Sequence, residues 1–200
     1  MRQTLRLHPD SLCFAATKIE VEVARPRAGS LVLSYVVTGK IGDLRMPPVL
    51  AAVAAARTDE LWRHTCFEAF VRPSPGEAYY EFNFAPSTQW AAYRFDSYRS
   101  GMRVATEISA PRIEVQSAPE CYTLQAAVEL PPTLPSPASG GGKLNEPSPA
   151  SGGGKGGGVW RLGLAVVIED TNGRKSYWAL AHPPGKADFH HADCFAHEFS

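Results

Sequence analysis

The stretch VWRLGLAVVIE at residues 159–169 decides how this chain is read, because Trp160, Leu162, Leu164, Val166 and Ile168 make one complete apolar face at period two. A run of that length, rich in β-branched residues, is an interior β-strand. The turn AspThrAsnGly at 170–173 follows it and predicts a hairpin to a strand over 176–180. Upstream, Tyr122, Leu124, Ala126, Val128 and Leu130 repeat the one-faced pattern. Ile19, Val21 and Val23 alternate with Glu20 and Glu22, and Leu31, Leu33, Tyr35 and Val37 follow after a Pro/Gly turn. Residues 65–71 and 79–84 read as strands divided by the breaker PSPG at 73–76. In the second of them Tyr80, Phe82 and Phe84 share one face, and Tyr79, Glu81 and Asn83 the other. Further strands are expected at 89–95, 103–108 and 113–117.

Many short strands without repeated helical crossovers predict an all-β chain, an antiparallel two-sheet β-sandwich forming a single domain over residues 1–200. One short helix is expected at 48–59, where an Ala-rich run follows Pro48. Residues 131–158 belong to another class: PSPASGGGK occurs at 135–143 and again at 147–155. A Gly/Pro/Ser tract has no apolar surface to offset its chain entropy, so it reads as a disordered loop insertion between two strands. Loop-closure entropy rises only logarithmically with length, and the fold tolerates it.

Lys plus Arg and Asp plus Glu both total 20, so no net field draws in a nucleic-acid backbone or an anionic membrane, and neither is expected as a partner. The start, MRQTLRLHPDSLCF, lacks the apolar core of a secretory signal, which gives the expectation of a cytoplasmic protein. Cys13, Cys66, Cys121 and Cys194 form no CxxC pair and read as reduced thiols, with Cys66 and Cys121 placed inside by their apolar strands.

The blocks LWRHTCFEAF (61–70) and YYEFNFAPSTQWAAYRF (79–95) are the densest in polar and aromatic side chains. Glu68, Glu81 and Asn83 on neighbouring strands, with Trp62, Trp90, Tyr93 and Tyr98 near in sequence, suit a sugar: its hydroxyls need paired donors and acceptors and its C–H face a flat ring. The competing reading pairs Glu68 and Glu81 with Arg94, Arg99 or Arg103 and puts the rings in the core. Two carboxyls could equally be the acid and nucleophile of a glycan-acting enzyme, given the right separation. The segment AHPPGKADFHHADCF (181–195) holds His182, His190 and His191 beside Asp188, Asp193 and Cys194; these are metal ligands by type in a spacing that matches no standard zinc pattern. The alternative is that they cap turns. Neither GxSxG nor a phosphate-cradling GxGxxG or GxxxxGK[ST] occurs.

The blocks LWRHTCFEAF, YYEFNFAPS, WAAYRF, YRSGM (98–102) and YWALAHPPGKADFH (177–190) resemble those of bacterial DOMON-like proteins related to family 9 carbohydrate-binding modules. The resemblance implies a jelly-roll-like sandwich whose relatives bind sugars or haem. On the sugar side it offers Trp62, Trp90 and Trp178 as the clamp, with Glu68, Glu81, Asn83 and Arg99 for the hydroxyls. On the haem side it offers Met102, His64 and His182 as axial ligands. The expectation is a non-catalytic domain for a small carbohydrate or sugar derivative, with haem or metal binding and glycan turnover at Glu68 and Glu81 as the alternatives.

Overall fold

A computed structural model describes residues 1–49, 55–131 and 159–199. Twelve strands are present among them: β1 (Arg2–Leu7), β2 (Ala16–Ala24), β3 (Ser30–Gly39), β4 (Cys66–Ser74), β5 (Tyr79–Phe84), β6 (Trp90–Phe95), β7 (Arg103–Val104), β8 (Arg112–Ala118), β9 (Cys121–Glu129), β10 (Val159–Glu169), β11 (Lys175–Ala179) and β12 (His197–Phe199). Every ladder is antiparallel, in the order β7-β6-β5-β4-β10-β11-β1-β2-β3-β9-β8, with β12 paired to β10.

The chain is therefore all-β, but the expected pair of separate sheets is replaced by one strongly curled sheet. The joint is β1: Arg2 to Leu5 pair with β2, whereas Arg6 and Leu7 pair with β11. Alternation along a strand reports which face is buried and carries no information about whether two sheets share an edge, and RQTLRL is too polar to announce itself as the connecting strand. The curl brings the two halves face to face over a common core. Phe67 of β4 lies 5.3 Å from Tyr35 of β3 and 6.0 Å, stacked, from Tyr122 of β9. The Tyr35 hydroxyl crosses this core and donates to the Glu68 carbonyl at 2.9 Å, satisfying a buried phenol and fixing the backbone of β4.

Strand 159–169 stands as read, and β11 pairs back on it through the expected turn, Glu169 opposite Lys175. Three readings change. β4 continues through Pro73 to Ser74, which opposes Val159, so the breaker at 73–76 comes into force two residues later. The strand expected over 103–108 shrinks to Arg103–Val104. Of the helix expected at 48–59, residues 50–54 lie outside the described residues and 55–59 are not helical; Arg57 bridges to Trp90, stacks on its ring at 4.1 Å, and donates to the carbonyls of Ala92, Ala105 and Ile108. A guanidinium with three carbonyl acceptors is worth more here than helix propensity. Nearly all of the Gly/Pro/Ser insertion, 132–158, also lies outside the described residues. All four thiols are free, with Cys66 and Cys194 buried but Cys121 only half-buried.

Strand β5 is buried along its whole length and β4 along most of it. One face meets the common core. The other carries Phe70 and Tyr79, with Phe95 from the end of β6, and is covered by Phe189 and Phe195 from the segment 181–195. The Cys194 thiol pins that segment, 3.2 Å from the carbonyl oxygens of both Ala181 and Asp188. Gly163 of β10 allows the close approach, since a Cβ there would stand 3.2 Å from the Cys194 carbonyl and 3.3 Å from Phe70 Cβ. This second layer walls a cleft on the outer face of the sheet.

Candidate functional site

A partly open cleft of about 450 Å³ lies on the outer face of β4, β5, β10 and β11, within the size range of small-ligand sites. Glu68 of β4 and Glu81 of β5 form its floor. Trp62 and Arg63 enter from the short 3-10 turn Leu61–Arg63, Arg99 and Met102 from the loop after β6, Lys175 and Tyr177 from β11, and Phe189 and His190 from the covering segment.

The floor follows from strand alternation. Phe67, Ala69 and Val71 turn into the common core, so Glu68 must face the other way; Tyr80, Phe82 and Phe84 do the same on β5, leaving Glu81 and Asn83 outward. Glu68 opposes Asn83 in the ladder and Glu81 opposes Phe70, which sets the two carboxyls diagonally across neighbouring strands. Asn83 Nδ2 donates to Glu81 Oε1 at 2.7 Å, while its Oδ1 accepts from the Cys66 thiol at 3.5 Å. Glu68 Oε1 is buried with no hydrogen-bond partner. Burial, reinforced by Glu81, holds the Glu68 carboxyl well above the ordinary carboxylate range. Burial also lifts Glu81 to about 7, opposed by the Asn83 hydrogen bond and the Arg99 charge. Neither carboxyl pairs with Arg94, Arg99 or Arg103, the partners that the structural reading required. Arg94 approaches Glu107, Arg99 binds Asp188 and Arg103 binds Asp96.

The rim is a small network. Asp188 accepts from Arg99 at 2.8 Å, from the Tyr98 hydroxyl and from the His190 backbone N–H. These contacts hold Arg99 at φ +51°, a left-handed conformation that a non-glycine residue adopts only when its surroundings fix it. The Arg99 N–H donates to the Tyr79 hydroxyl at 3.3 Å, and that hydroxyl meets His190 Nδ1 at 2.8 Å. The ring is neutral, because burial and the Arg99 charge push its pKa down to about 4. Since the Tyr79 hydroxyl accepts from Arg99, its own proton is free for Nδ1; in the tautomer that uses it, the ring proton is on Nε2, which faces Glu81 Oε2 at 3.7 Å.

Of the residues expected at the site, Trp62, Glu68, Glu81 and Arg99 meet at the cleft, and Asn83 lies beneath it bonded to Glu81. Tyr93 stands behind Trp62, rings 5.6 Å apart, its hydroxyl donating to Asp59. Trp90 and Trp178 are corrected to the common core: the Trp90 indole donates to the Ala55 carbonyl and the Trp178 indole to Ser176. The histidines do not converge. His182 bonds the Arg6 carbonyl through Nε2, His191 accepts from the Asp193 N–H as a turn cap, and only His190 reaches the cleft. Among the described residues no three His, Cys, Asp or Glu side chains gather as a metal site. Of the haem candidates, Met102 lines the cleft, His64 is tied to Glu169 at 2.7 Å and His182 bonds the Arg6 carbonyl. Sequence reasoning missed Tyr177, Phe189 and Lys175. Alternation along β11 separates Tyr177 from the inward Trp178 and could have found the first; the covering segment that brings Phe189 has no periodic signal.

No family model matches the sequence, and no curated protein matches it. Among solved structures, a "putative carbohydrate-binding protein" from Bacteroides uniformis is similar with a TM-score of 0.61 at 15% identity, covering 97% of this chain and 83% of its own. At that identity the likeness establishes the fold. Two structures of a family 9 carbohydrate-binding module from Caldicellulosiruptor kristjanssonii are more distant. The cellotriose complex gives a TM-score of 0.46 at 11% identity over 92% of this chain and 74% of that one. The glucose complex gives 0.43 at 12% identity over 88% and 72%.

Proposed function

We propose that this protein is a non-catalytic binding domain for a small carbohydrate or sugar derivative, held in the cleft above Glu68 and Glu81. The observation that carries the reading is the Glu68 carboxyl, buried at the floor of an open cleft with Oε1 unpartnered, since a buried polar atom without a partner is costly unless a ligand supplies one. Around it stand the other parts a sugar needs. Trp62, Tyr177 and Phe189 give flat apolar surface for a C–H face, and Arg99 gives a fixed donor at the rim. The solved structure that shares the fold bears a carbohydrate-binding description, which agrees with this use of the cleft. Kinship with DOMON-like proteins and a cytoplasmic location are part of the same proposal.

Calorimetric titration with a panel of monosaccharides and disaccharides, and with hemin as the contrasting ligand, tests it. Saturable binding of one sugar class, lost in Trp62→Ala, is the expected result. Binding of hemin alone, or of nothing in the panel, would remove the reading. The raised carboxyl pair also favours glycan turnover as a second reading, which release of nitrophenol from aryl glycosides, abolished by Glu81→Gln, would establish.

A further inference from the structure

The floor of the cleft lacks a counter-charge. Glu68 is 3% exposed and Glu81 5%, on adjacent strands, and among the described residues no Lys or Arg forms an ion pair with either. The guanidiniums that line the cleft are engaged elsewhere, Arg99 with Asp188 at 2.8 Å and Arg63 with Glu60 at 2.7 Å. Lys175 lines the cleft without an ion pair at the floor, and the nearest basic ring, His190, stays 3.7 Å from Glu81. Buried carboxyls in proteins are paired with a cation or held neutral by a proton. Resting on the sugar reading above, we infer that the ligand is an amino sugar, or an equivalent polyhydroxylated amine, whose ammonium group sits between Glu68 and Glu81.

The donor count fits. Glu68 Oε1 is unpartnered, and Glu81 Oε2 faces the His190 nitrogen at 3.7 Å, beyond hydrogen-bond distance, whereas Glu81 Oε1 is already satisfied by Asn83. An ammonium carries three N–H donors and no acceptor, so it can bond both carboxyls at once. A neutral hydroxyl has a single donor, reaches one carboxyl at a time and brings no charge to offset an ionised one. A divalent metal would need about six oxygen ligands, and the third polar group here, Asn83, presents its amide N–H to Glu81 and commits its oxygen to Cys66. Without ligand the pair retains protons, as the raised carboxyls indicate. Binding is then an exchange: a carboxylic acid O–H gives its proton to the buffer, and the resulting carboxylate binds the ammonium, with no covalent bond to the sugar made or broken.

The experiment is isothermal titration of the full chain at pH 6.5 with glucosamine, galactosamine and mannosamine beside glucose, galactose and mannose, each in two buffers of different ionisation enthalpy. The expected result is one amine binding at least about tenfold tighter than its neutral parent, with net proton release to the buffer and loss of that advantage on N-acetylation. Glu68→Gln, a near-isostere, should bring the amine and its parent to within about twofold of each other. A neutral sugar binding as tightly as its amine, or a preferred amine that releases no proton, would overturn the amine inference and leave the sugar reading standing. Failure of all six would overturn both.

Discussion

His190 Nε2 stands 3.7 Å from Glu81 Oε2, and burial moves the two groups in opposite directions, the imidazole down to about 4 and the carboxyl up to about 7. In each the charged form is disfavoured by the same lack of water. For His190 the unfolded chain takes up a proton from about pH 6.5 downward while the native ring does not, so its presence costs stability as pH falls from about 6.5 to 4. His190→Gln should therefore gain on the wild type across that window. Urea midpoints measured from pH 4 to 7 would show the difference between the two proteins widening toward acid. A difference that does not change with pH would mean the ring is not buried neutral.

Glu68 has the opposite sign. Its native carboxyl keeps its proton above the pH at which the unfolded chain loses it, so stability is lost as pH rises from about 4.5 toward the raised native value. Glu68→Gln keeps the shape without the ionisation. Relative to the wild type it should gain stability as pH rises above about 4.5, where the unfolded carboxyl ionises and the native one does not. Equal pH profiles for the two proteins would exclude a shared protonated floor.

Two tryptophans separate binding from folding. Trp62 is half-buried at the cleft, touching Tyr93, whereas Trp178 is 5% exposed in the common core. Trp178→Ala should cost about 3–5 kcal/mol in urea unfolding, the usual range for emptying a core site of this size. Trp62→Ala should leave the midpoint nearly unchanged and weaken sugar binding about tenfold or more, read by titration. If Trp62→Ala binds as the wild type does, the aromatic wall is Tyr177 and Phe189 alone.

The contrast between those rings also marks what the sequence could convey. Alternation alone turned Glu68, Glu81 and Asn83 away from the core, because strand geometry fixes the side of each residue once its neighbours are known to be buried. It could not rank the tryptophans, since Trp62 lies in a 3-10 turn and Trp90 alternates with residues that are themselves buried. The covering layer was hidden for another reason. Residues 181–195 hold their place by ring contacts with distant strands, by the Asp188 carboxylate on Arg99 and by the Cys194 thiol on carbonyls of the segment itself, and none of these leaves a period in the chain. The single curled sheet was hidden likewise, in a six-residue strand that changes partners at Leu5 and Arg6.

Asp188 tests whether the rim is organised for binding. It gathers Arg99, the Tyr98 hydroxyl and the His190 N–H, and these interactions hold its own carboxyl below the ordinary range against the effect of burial. Asp188→Asn keeps an acceptor for the His190 N–H but removes the charge that fixes Arg99 at its left-handed φ. The freed guanidinium is then able to turn toward Glu81, whose carboxyl already feels its charge, and to occupy the floor in place of ligand. Sugar affinity should fall about tenfold, and the apparent pKa of Glu81 should drop, while the thermal midpoint changes little because the rim lies at the surface. Binding that survives unchanged with the same Glu81 titration would show that Arg99 is held by its loop and not by Asp188.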